Sequence, residues 1–356
     1  MRGKLKKIVA LLMVMMLGAT ALTACGSKDS ADGSKAPAGS KELTIYTGLP
    51  EAEVPVYIGA FEKETGIKVN YVRLSAGEML TRIQTEKDHP NASVMHAVSW
   101  ESFIQATDEG LLEPYQAPDL ADVPEQYLDS HKTWDPIYMG VLCFGVNKDW
   151  FEKNNLEYPK SWEDLLNPAY KGQISMAHPS TSGTSYSIVA LLVQMMGEDK
   201  AFEYLEKLDK NVRQYTKAGS ASPMEVALGE AAIALTYTHD ALKPANEGYP
   251  VGVVFPSEGT GYEVGGVAII KGGPAEELEN AKTFVDWCVS PKGQQALNEA
   301  KSNRIPINTK VSVPDGLQTV DELNVIDYDP IWSAENRTRL TEKFMNEIDN
   351  AASLKE

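Results

Sequence analysis

A strand–helix–strand unit near the start of the chain constrains the fold more than any other feature. Residues 42–48 alternate polar and apolar side chains, and residues 67–72 repeat that alternation after a helical stretch that ends near Gly66. Two strands with one helix between them in so short a span form a βαβ unit, whose strands are parallel. A chain of 356 residues is also longer than an average domain. We therefore expect an α/β protein with two domains.

Strand and helix patterns alternate along most of the remaining chain. The apolar runs at 137–147 and 263–271 are long enough to be strands that cross from one domain to the other. The sequence therefore predicts two α/β lobes joined by two crossing strands. The expected boundaries are residues 41–138 plus 266–310 for lobe 1, residues 139–265 for lobe 2, and residues 311–356 for a C-terminal helical segment that packs on the lobes.

The N-terminus has the pattern of a lipoprotein export signal. Four basic residues precede an apolar run at 8–17, and Leu22-Thr23-Ala24-Cys25 follows. The run is too short for a comfortable membrane span, and the last four residues resemble a lipobox. We expect a signal peptide over residues 1–24, lipidation of Cys25, and a flexible Gly/Ser/Ala-rich tether over residues 25–40. The protein would then be anchored in the cell envelope, facing the periplasm or the outside of the cell membrane.

Charge and cysteine usage narrow the classes of partner. The net charge of −17 becomes −21 when the four basic residues of the signal peptide are removed. Such a negative chain is a poor binder of nucleic acid, although local dipoles can still hold a small anion. Cys143 and Cys288 lie in apolar contexts without CxxC spacing, so we expect two buried thiols and no metal or cofactor. A disulfide between these two cysteines is an alternative.

A loop rich in hydroxyl groups leads directly into a helix. Residues 176–187 contain six Ser or Thr residues and one glycine between His178 and Ser187, and a helical apolar pattern follows at 188–196. The N-terminus of a helix presents unpaired N–H groups and a partial positive charge. Together these donors predict an anion pocket that needs no basic side chain. The alternative is an ordinary helix cap, which requires only one hydroxyl group.

Small polar residues also follow the other predicted strands. In open parallel sheets, ligands bind outside the carboxyl ends of the strands, so we expect these loops to meet in one cleft. No GxSxG motif and no HxxxH or HxxEH spacing is present, which favours a binding protein over a secreted phosphatase or esterase. The five strand-end loops are Thr47-Gly48, Ser99-Trp100, Ser180–Ser185, Gly219–Ser222 and Thr238-His239-Asp240.

Several longer segments, together and in this order, resemble one known family. The chain is similar to extracellular solute-binding proteins of ABC importers, in the group of iron(III), phosphonate and sugar-phosphate receptors. The resemblance implies a two-lobed periplasmic-binding-protein type II fold over about residues 41–350, closure around one ligand, and delivery by a monomer to an ABC permease. It is carried by residues 61–69 (FEKETGIKV), 159–172 (PKSWEDLLNPAYKG), 182–186 (SGTSY), 228–237 (LGEAAIALTY) and 286–295 (DWCVSPKGQQ).

The resemblance also suggests which residues contact the ligand. Iron-binding relatives use two adjacent tyrosines, whereas Tyr237 is followed by Thr238 here, so receptors for phosphorylated organic solutes are the better match. Their pattern places hydroxyl and backbone donors around a phosphoryl group and polar residues around the organic part. This implies Thr47, Thr181, Ser182, Gly183, Thr184 and Ser220 at the phosphoryl end, His239, Asp240 and Glu263 at the organic end, Trp100 as an apolar wall, and Gly48 as a further ligand contact.

The identity of the organic part stays open. Carboxylates such as Asp240 and Glu263 accept hydrogen bonds from a pair of sugar hydroxyls, and they also pair with a primary amine. A hexose phosphate is the favoured ligand, 2-aminoethylphosphonate is the runner-up, and iron(III) is third.

Overall fold

The computed structural model describes residues 41–348. The predicted signal peptide, the lipidated Cys25 and the tether lie outside this range. The strands are β1 (Glu42–Thr47), β2 (Lys68–Arg73), β3 (Val94–Ser99), β4 (Trp134–Asn147), β5 (Ile174–Ala177), β6 (Val212–Thr216), β7 (Ile233–Tyr237), β8 (Val251–Val254), β9 (Tyr262–Ile269) and β10 (Ile305–Pro306).

Helices follow most of these strands. They are α1 (Val54–Thr65), α2 (Ala76–Thr85), α3 (Trp100–Asp108), α4 (Lys148–Asn154), α5 (Gly183–Met196), α6 (Glu198–Asp209), α7 (Ser222–Ala227), α8 (Thr238–Asn246), α9 (Leu278–Val289), α10 (Pro291–Glu299) and α11 (Pro330–Glu347). The predicted α/β class is therefore confirmed.

The strands form two parallel groups with antiparallel strands between them. The sheet order is β2-β1-β3-β9-β4-β7-β5-β6, and β8 and β10 each pair with β4. Strands β2-β1-β3 are parallel to one another, as are β7-β5-β6, whereas β9 and β4 run antiparallel to their neighbours. We call β1–β3 with helices α1–α3 the first half, and β5–β7 with helices α5–α8 the second half.

Strand β4 joins the two halves because it changes partners along its length. Its residues 134–141 pair with β9, and residues 142–147 pair with β7 and β8. All 14 residues of β4 are buried, which explains its continuous apolar sequence. The change of partner occurs between Val141 and Leu142. The predicted lobe boundaries, at 138/139 and 265/266, stay a prediction.

Short-range signals place the helix N-termini that surround the site. Helix α2 begins after Ser75, whose side chain and Glu78 form a capping box. Helix α5 begins after Ser182, whose Oγ accepts the N–H of Ser185 at 3.4 Å. Helix α1 ends at Gly66, whose φ of 73° suits a residue without a side chain. The hydroxyl-rich loop therefore does contain a helix cap, but a single hydroxyl provides it.

The C-terminal segment is less helical than the sequence suggested. Of the segment 311–356, only Pro330–Glu347 forms an α-helix, and residues 311–329 are mostly irregular, with Pro314 and Gly316 (φ 82°) interrupting the chain. Helix α11 packs on both halves: Tyr186 of α5 donates to the carbonyl of Ser333, and Arg337 of α11 lies 4.7 Å from the centre of the Tyr186 ring.

Both predicted thiols are buried and free, so they form no disulfide with each other. Their burial raises the pKa of Cys143 to about 12 and the pKa of Cys288 above its usual range. Within the described range, none of the helices has the length and apolar character needed to cross a bilayer.

Candidate ligand-binding site

One cavity lies where strand ends from both halves meet the N-termini of α2, α5 and α8. Its volume is about 60 Å³. Each of the five strand-end loops that the sequence predicted to converge contributes at least one residue to its lining. Its lining comprises Gly48, Pro50, Arg73, Ser75, Ala76, Ala97, Val98, Ser99, Tyr138, Ser182, Gly183, Thr184, Ala218, Gly219, Ser220, Tyr237, His239, Asp240, Glu263 and Arg304.

One end of the cavity is rich in hydrogen-bond donors. Ser182, Gly183 and Thr184 form the first turn of α5, where backbone N–H groups have no acceptor inside the helix. Thr184 packs against the turn before α7, because a Cβ at Gly219 would come within 2.2 Å of Thr184 Oγ1. Glycine at 219 thus lets the Ser220 turn approach α5. We call Ser182, Gly183, Thr184, Ser220 and Arg73 the donor end.

Arg73 brings a cation from the first half to the donor end. It is the last residue of β2, and its Nη2 lies 3.4 Å from Ser220 Oγ. The anion pocket was expected to work without a basic side chain, and the structure places one beside it. Applying the strand-end rule to β2 as well as to its neighbours would have identified Arg73 and Ser75 from the sequence.

Three polar side chains form a second group in the cavity lining. His239 and Asp240 lie in the first turn of α8, directly after β7, and Glu263 lies on β9 opposite Gly140 of β4. His239 Nε2 is 3.7 Å from Asp240 Oδ2 and 4.0 Å from Glu263 Oε1. A Cβ at Gly140 would come within 2.5 Å of His239 Cε1, so glycine leaves the space that the imidazole occupies. We call this set the carboxylate end.

Burial controls protonation at the carboxylate end. It raises the pKa of Asp240 to about 6 and that of Glu263 to about 8, although the positive charge of Arg304 opposes both shifts. Burial also lowers the pKa of His239 well below 6.5, and Arg304 adds to that effect. Near neutral pH the imidazole is therefore uncharged, and Glu263 is largely a neutral carboxylic acid. The cavity holds less charge than its residue types suggest.

A second arginine lies near the carboxylate end and was not predicted. Arg304, just before β10, is 4% exposed and pairs with Glu53, with Nη1 2.7 Å from Glu53 Oε2. Its guanidinium carbon is 4.8 Å from the centre of the Tyr138 ring. Arg304 follows Glu263 by some forty residues without a local motif, so only the folded chain brings them together.

Eight of the eleven predicted contact residues line this cavity, and three do not. Thr47 Oγ1 is 2.9 Å from His96 Nδ1 and accepts the N–H of Leu49, so that its hydroxyl completes the β1 turn. Thr181 Oγ1 donates to the carbonyl of Lys217 at 2.8 Å. The eight that line it are Gly48, Ser182, Gly183, Thr184, Ser220, His239, Asp240 and Glu263.

Trp100 lies in an aromatic cluster rather than in the cavity wall. Its ring stacks on Tyr328 at 6.2 Å and lies 5.4 Å from the Tyr262 ring. This packing joins α3 to the segment before α11. The ligand-contact assignment of all eleven residues stays a prediction.

A cleft that collects strand ends and helix N-termini from two α/β halves is the usual place for a small ligand to bind in an α/β protein. The chain belongs to the family described as bacterial extracellular solute-binding protein, whose profile matches residues 92–333. This confirms the family resemblance and the two-lobed type II fold expected from the sequence.

Individual relatives match most of the chain. The chain is 35% identical to an uncharacterized protein of Haemophilus influenzae over 314 residues, which is 86% of this chain and 90% of that protein. It is 26% identical to iron uptake protein A1 of Synechocystis over 318 residues, covering 84% of this chain and 86% of that protein.

A solved structure is similar over nearly its whole length. The periplasmic binding protein AfuA from Actinobacillus pleuropneumoniae, with exogenous fructose-6-phosphate bound, is 34% identical and has a TM-score of 0.84. The match covers 87% of this chain and 99% of that chain. More distant relatives carry the names of Fe(3+)-binding and putative 2-aminoethylphosphonate-binding periplasmic proteins.

These comparisons confirm that the chain is a binding protein and not an enzyme. Its relatives are periplasmic or extracellular binding proteins, and such proteins deliver small solutes to ABC permeases. Among residues 41–348, no group of three or more His, Cys, Asp or Glu residues is arranged to hold a metal ion.

Proposed function

We propose that this protein is the lipid-anchored, monomeric receptor of an ABC importer that captures a small phosphorylated organic solute, with a hexose phosphate favoured. The observation that carries the proposal is the division of one cavity into two chemically different ends. The donor end suits a phosphoryl group, and the carboxylate end suits hydroxyl groups. A sugar phosphate has both parts in one small molecule.

The donor end is suited to a dianion. Phosphoryl oxygens only accept hydrogen bonds, and the first turn of α5 offers backbone N–H groups together with the hydroxyls of Ser182 and Thr184. Ser220 of the second half and Arg73 of the first half complete the same group of donors, with Arg73 Nη2 3.4 Å from Ser220 Oγ. A guanidinium beside such a site supplies charge-assisted hydrogen bonds, which are stronger than neutral ones.

The carboxylate end is suited to vicinal hydroxyl groups. Asp240 and Glu263 flank the neutral His239 imidazole, so a hydroxyl entering here meets two carboxyl groups and a ring nitrogen. The bound fructose-6-phosphate in AfuA, at 34% identity, supports the same ligand class for this chain.

The cleft must widen to admit such a ligand. Pockets for small molecules usually measure about 300–1,000 Å³, whereas the accessible space here is about 60 Å³. A hexose phosphate therefore requires the two halves to separate before it enters. Hinge opening about crossing strands is the usual movement of a two-lobed binding protein.

A thermal-shift screen of the purified protein tests the ligand class. The panel is glucose 6-phosphate, fructose 6-phosphate, 2-aminoethylphosphonate, inorganic phosphate and ferric citrate. A ligand at about 100 times its dissociation constant adds roughly 2.7 kcal/mol to the free energy of unfolding. We expect stabilisation by the sugar phosphates. Stabilisation by the aminophosphonate alone would make the carboxylate end an ammonium site, and stabilisation by ferric citrate alone would contradict the phosphoryl assignment of the α5 turn.

Two further measurements test the remaining parts of the proposal. Incubation with glucose 6-phosphate should release no inorganic phosphate, whereas release would support the phosphatase alternative. In cell fractionation, the wild-type protein should remain with the membrane. Cys25→Ser should abolish this anchoring if Cys25 is the lipidation site, and membrane retention through lipid on the variant would contradict it.

A further inference from the structure

The carboxylate end contains a cation whose role the proposed function leaves unassigned. Arg304 lines the cavity, is 4% exposed, and its guanidinium stacks on the Tyr138 ring at 4.8 Å. Glu53, which is 2% exposed, holds it through the 2.7 Å ion pair with Nη1. Ser302 Oγ donates to the same Glu53 oxygen at 2.9 Å. The guanidinium is thus fixed in place by packing as well as by charge.

The positive charge of Arg304 is permanent. Burial disfavours the charged guanidinium, but the negative or polar groups of Glu53, Tyr138, Asp240 and Glu263 outweigh burial and raise the pKa of Arg304 above its usual range. Any ligand group that reaches the carboxylate end therefore meets two carboxyl groups and one guanidinium together.

Arg304 also keeps an unused donor. Within the described residues, its buried Nε has no hydrogen-bond partner, while Nη1 bonds to Glu53 and contacts Ser302. A buried donor without an acceptor is destabilising, so a ligand that supplies an acceptor here gains affinity by satisfying it. Because Arg304 lines the cavity, a ligand with an acceptor at this end satisfies its guanidinium better than a ligand with donors alone.

A hydroxyl group can accept a hydrogen bond, whereas an ammonium group cannot. A hydroxyl donates one hydrogen bond and accepts two, so it can donate to Asp240 or Glu263 and accept from Arg304. An ammonium has three donors and no acceptor, so it can pair with Asp240 but cannot accept a hydrogen bond from Arg304, whose charge has the same sign. The pKa of Glu263, raised to about 8 by burial, adds to the contrast, because a protonated carboxyl also needs an acceptor.

We propose that Arg304, held by Glu53, is a specificity-determining residue that makes the carboxylate end select a hydroxylated organic part over a cationic one. This inference rests on the proposed function, since it concerns the part of the ligand that lies beyond the phosphoryl group. It narrows the substrate class to phosphorylated compounds with neutral, hydroxyl-bearing organic parts.

Matched ligand pairs test the inference by isothermal titration calorimetry. The pairs are 2-hydroxyethylphosphonate against 2-aminoethylphosphonate and glucose 6-phosphate against glucosamine 6-phosphate, in each of which one hydroxyl is replaced by an ammonium. In whichever pair binds to the wild-type protein, we expect the affinity for the hydroxyl member to be higher by about tenfold or more. Equal affinities, or a preference for the amine, would overturn the inference while leaving the phosphoryl assignment intact.

Two variants test whether Arg304 causes the preference for the hydroxyl member of a pair. Arg304→Gln should reduce the hydroxyl-to-amine ratio to about one. Arg73→Gln is the matched control, because Arg73 lies at the donor end, and it should weaken both members of a pair by similar factors and leave their ratio unchanged. A ratio that persists in Arg304→Gln would overturn the role of Arg304.

Arg304→Gln removes one of the two cations that pair with Glu53. The remaining one is Lys243, whose Nζ is 3.1 Å from Glu53 Oε1. If that variant does not fold, the double variant Glu53→Gln/Arg304→Gln removes the pair together and should show the same loss of ratio. Failure of every phosphorylated ligand to bind the wild-type protein would instead contradict the proposed function.

Discussion

The backbone N–H of Gly77 donates to the carbonyl of Thr181 at 2.9 Å. Gly77 lies in the first turn of α2 in the first half, and Thr181 lies in the loop before α5 in the second half. A Cβ at position 77 would come within 2.4 Å of the Ser180 carbonyl oxygen, so glycine permits this contact between the halves. The cavity lies beside this contact, which therefore holds the cleft narrow.

Gly77→Ala should favour a more open cleft. Its added methyl group has no room against the Ser180 and Thr181 carbonyls, so the halves must separate. We expect a larger radius of gyration by small-angle X-ray scattering and about tenfold weaker ligand binding, which corresponds to about 1.4 kcal/mol.

The control is Gly59→Ala in α1, where an added Cβ meets nothing within 4 Å. This change should leave binding unaltered and raise stability by roughly 0.5–1 kcal/mol, as alanine does in a helix interior. Equal binding by Gly77→Ala and the wild-type protein would show that the contact does not control the cleft.

Gly140→Ala should disrupt the carboxylate end. A Cβ at this position would come within 2.5 Å of His239 Cε1, so the imidazole must move away from Asp240 and Glu263. We expect binding of a sugar phosphate to weaken at least tenfold in calorimetry, because a fixed hydrogen-bonding group at the site is displaced. Gly145→Ala on the same strand is the matched control, since its nearest neighbour would lie at an ordinary 3.5 Å.

Thr184→Val should weaken any phosphorylated ligand by about 1–3 kcal/mol, because a charged oxygen loses its donor. Thr181→Val removes the same type of group outside the cavity, where the hydroxyl is bonded to the Lys217 carbonyl. We expect Thr181→Val to alter ligand affinity much less. Similar losses in both variants would place the phosphoryl group away from the α5 turn.

The unliganded protein should lose stability as pH rises toward 8. Burial raises the pKa of Glu263 from an ordinary 4.5 to about 8, so the folded protein holds a proton that the unfolded chain releases between those values. The free energy of unfolding therefore falls with increasing pH across that window. Asp240 and Asp135, with pKa values raised by burial to about 6 and about 7, act in the same direction at lower pH.

Between pH 7 and 8 Glu263 contributes most of the decline, because Asp240 is already ionised and Asp135 is at least half ionised at pH 7. Over this interval we expect wild-type stability in urea unfolding to fall by about 1 kcal/mol, since one pKa unit corresponds to about 1.4 kcal/mol. Glu263→Gln should remove most of this decline and leave the smaller part that Asp135 contributes. Glu247→Gln, the same change at an exposed position, should retain it. A decline of equal size in Glu263→Gln would assign the titration to another group.

Much of the fold could be predicted from local patterns. The βαβ unit at 42–72, the strand ends and the hydroxyl-rich loop before α5 all correspond to elements of the structure within a few residues. Periodicity and capping act over short stretches of chain, so a sequence reports them directly. The segment 311–329 departed from the predicted helix because Pro314 and Gly316 interrupt it.

Roles that depend on neighbours distant in the chain were harder to predict. Thr47 and Trp100 have the residue types of contact groups, but His96 and Tyr328 engage them away from the cavity. Conversely, Arg304 lines the cavity without a motif that marks it. A residue type indicates what a side chain can bind, whereas the fold decides what is beside it.

The sequence by itself determined the α/β class, the order of its elements and the convergence of strand ends, because these follow from hydrophobic period, turn residues and helix caps. Tertiary structure alone decided which polar groups share one cavity and which are buried enough to change protonation. An ordinary glutamate is ionised at pH 7. Burial, with the charge of Asp240 adding to it, raises the pKa of Glu263 to about 8, so this side chain is largely protonated at pH 7. The electrostatic environment of a side chain depends on groups from many parts of the chain, so it is fixed only once the chain has folded.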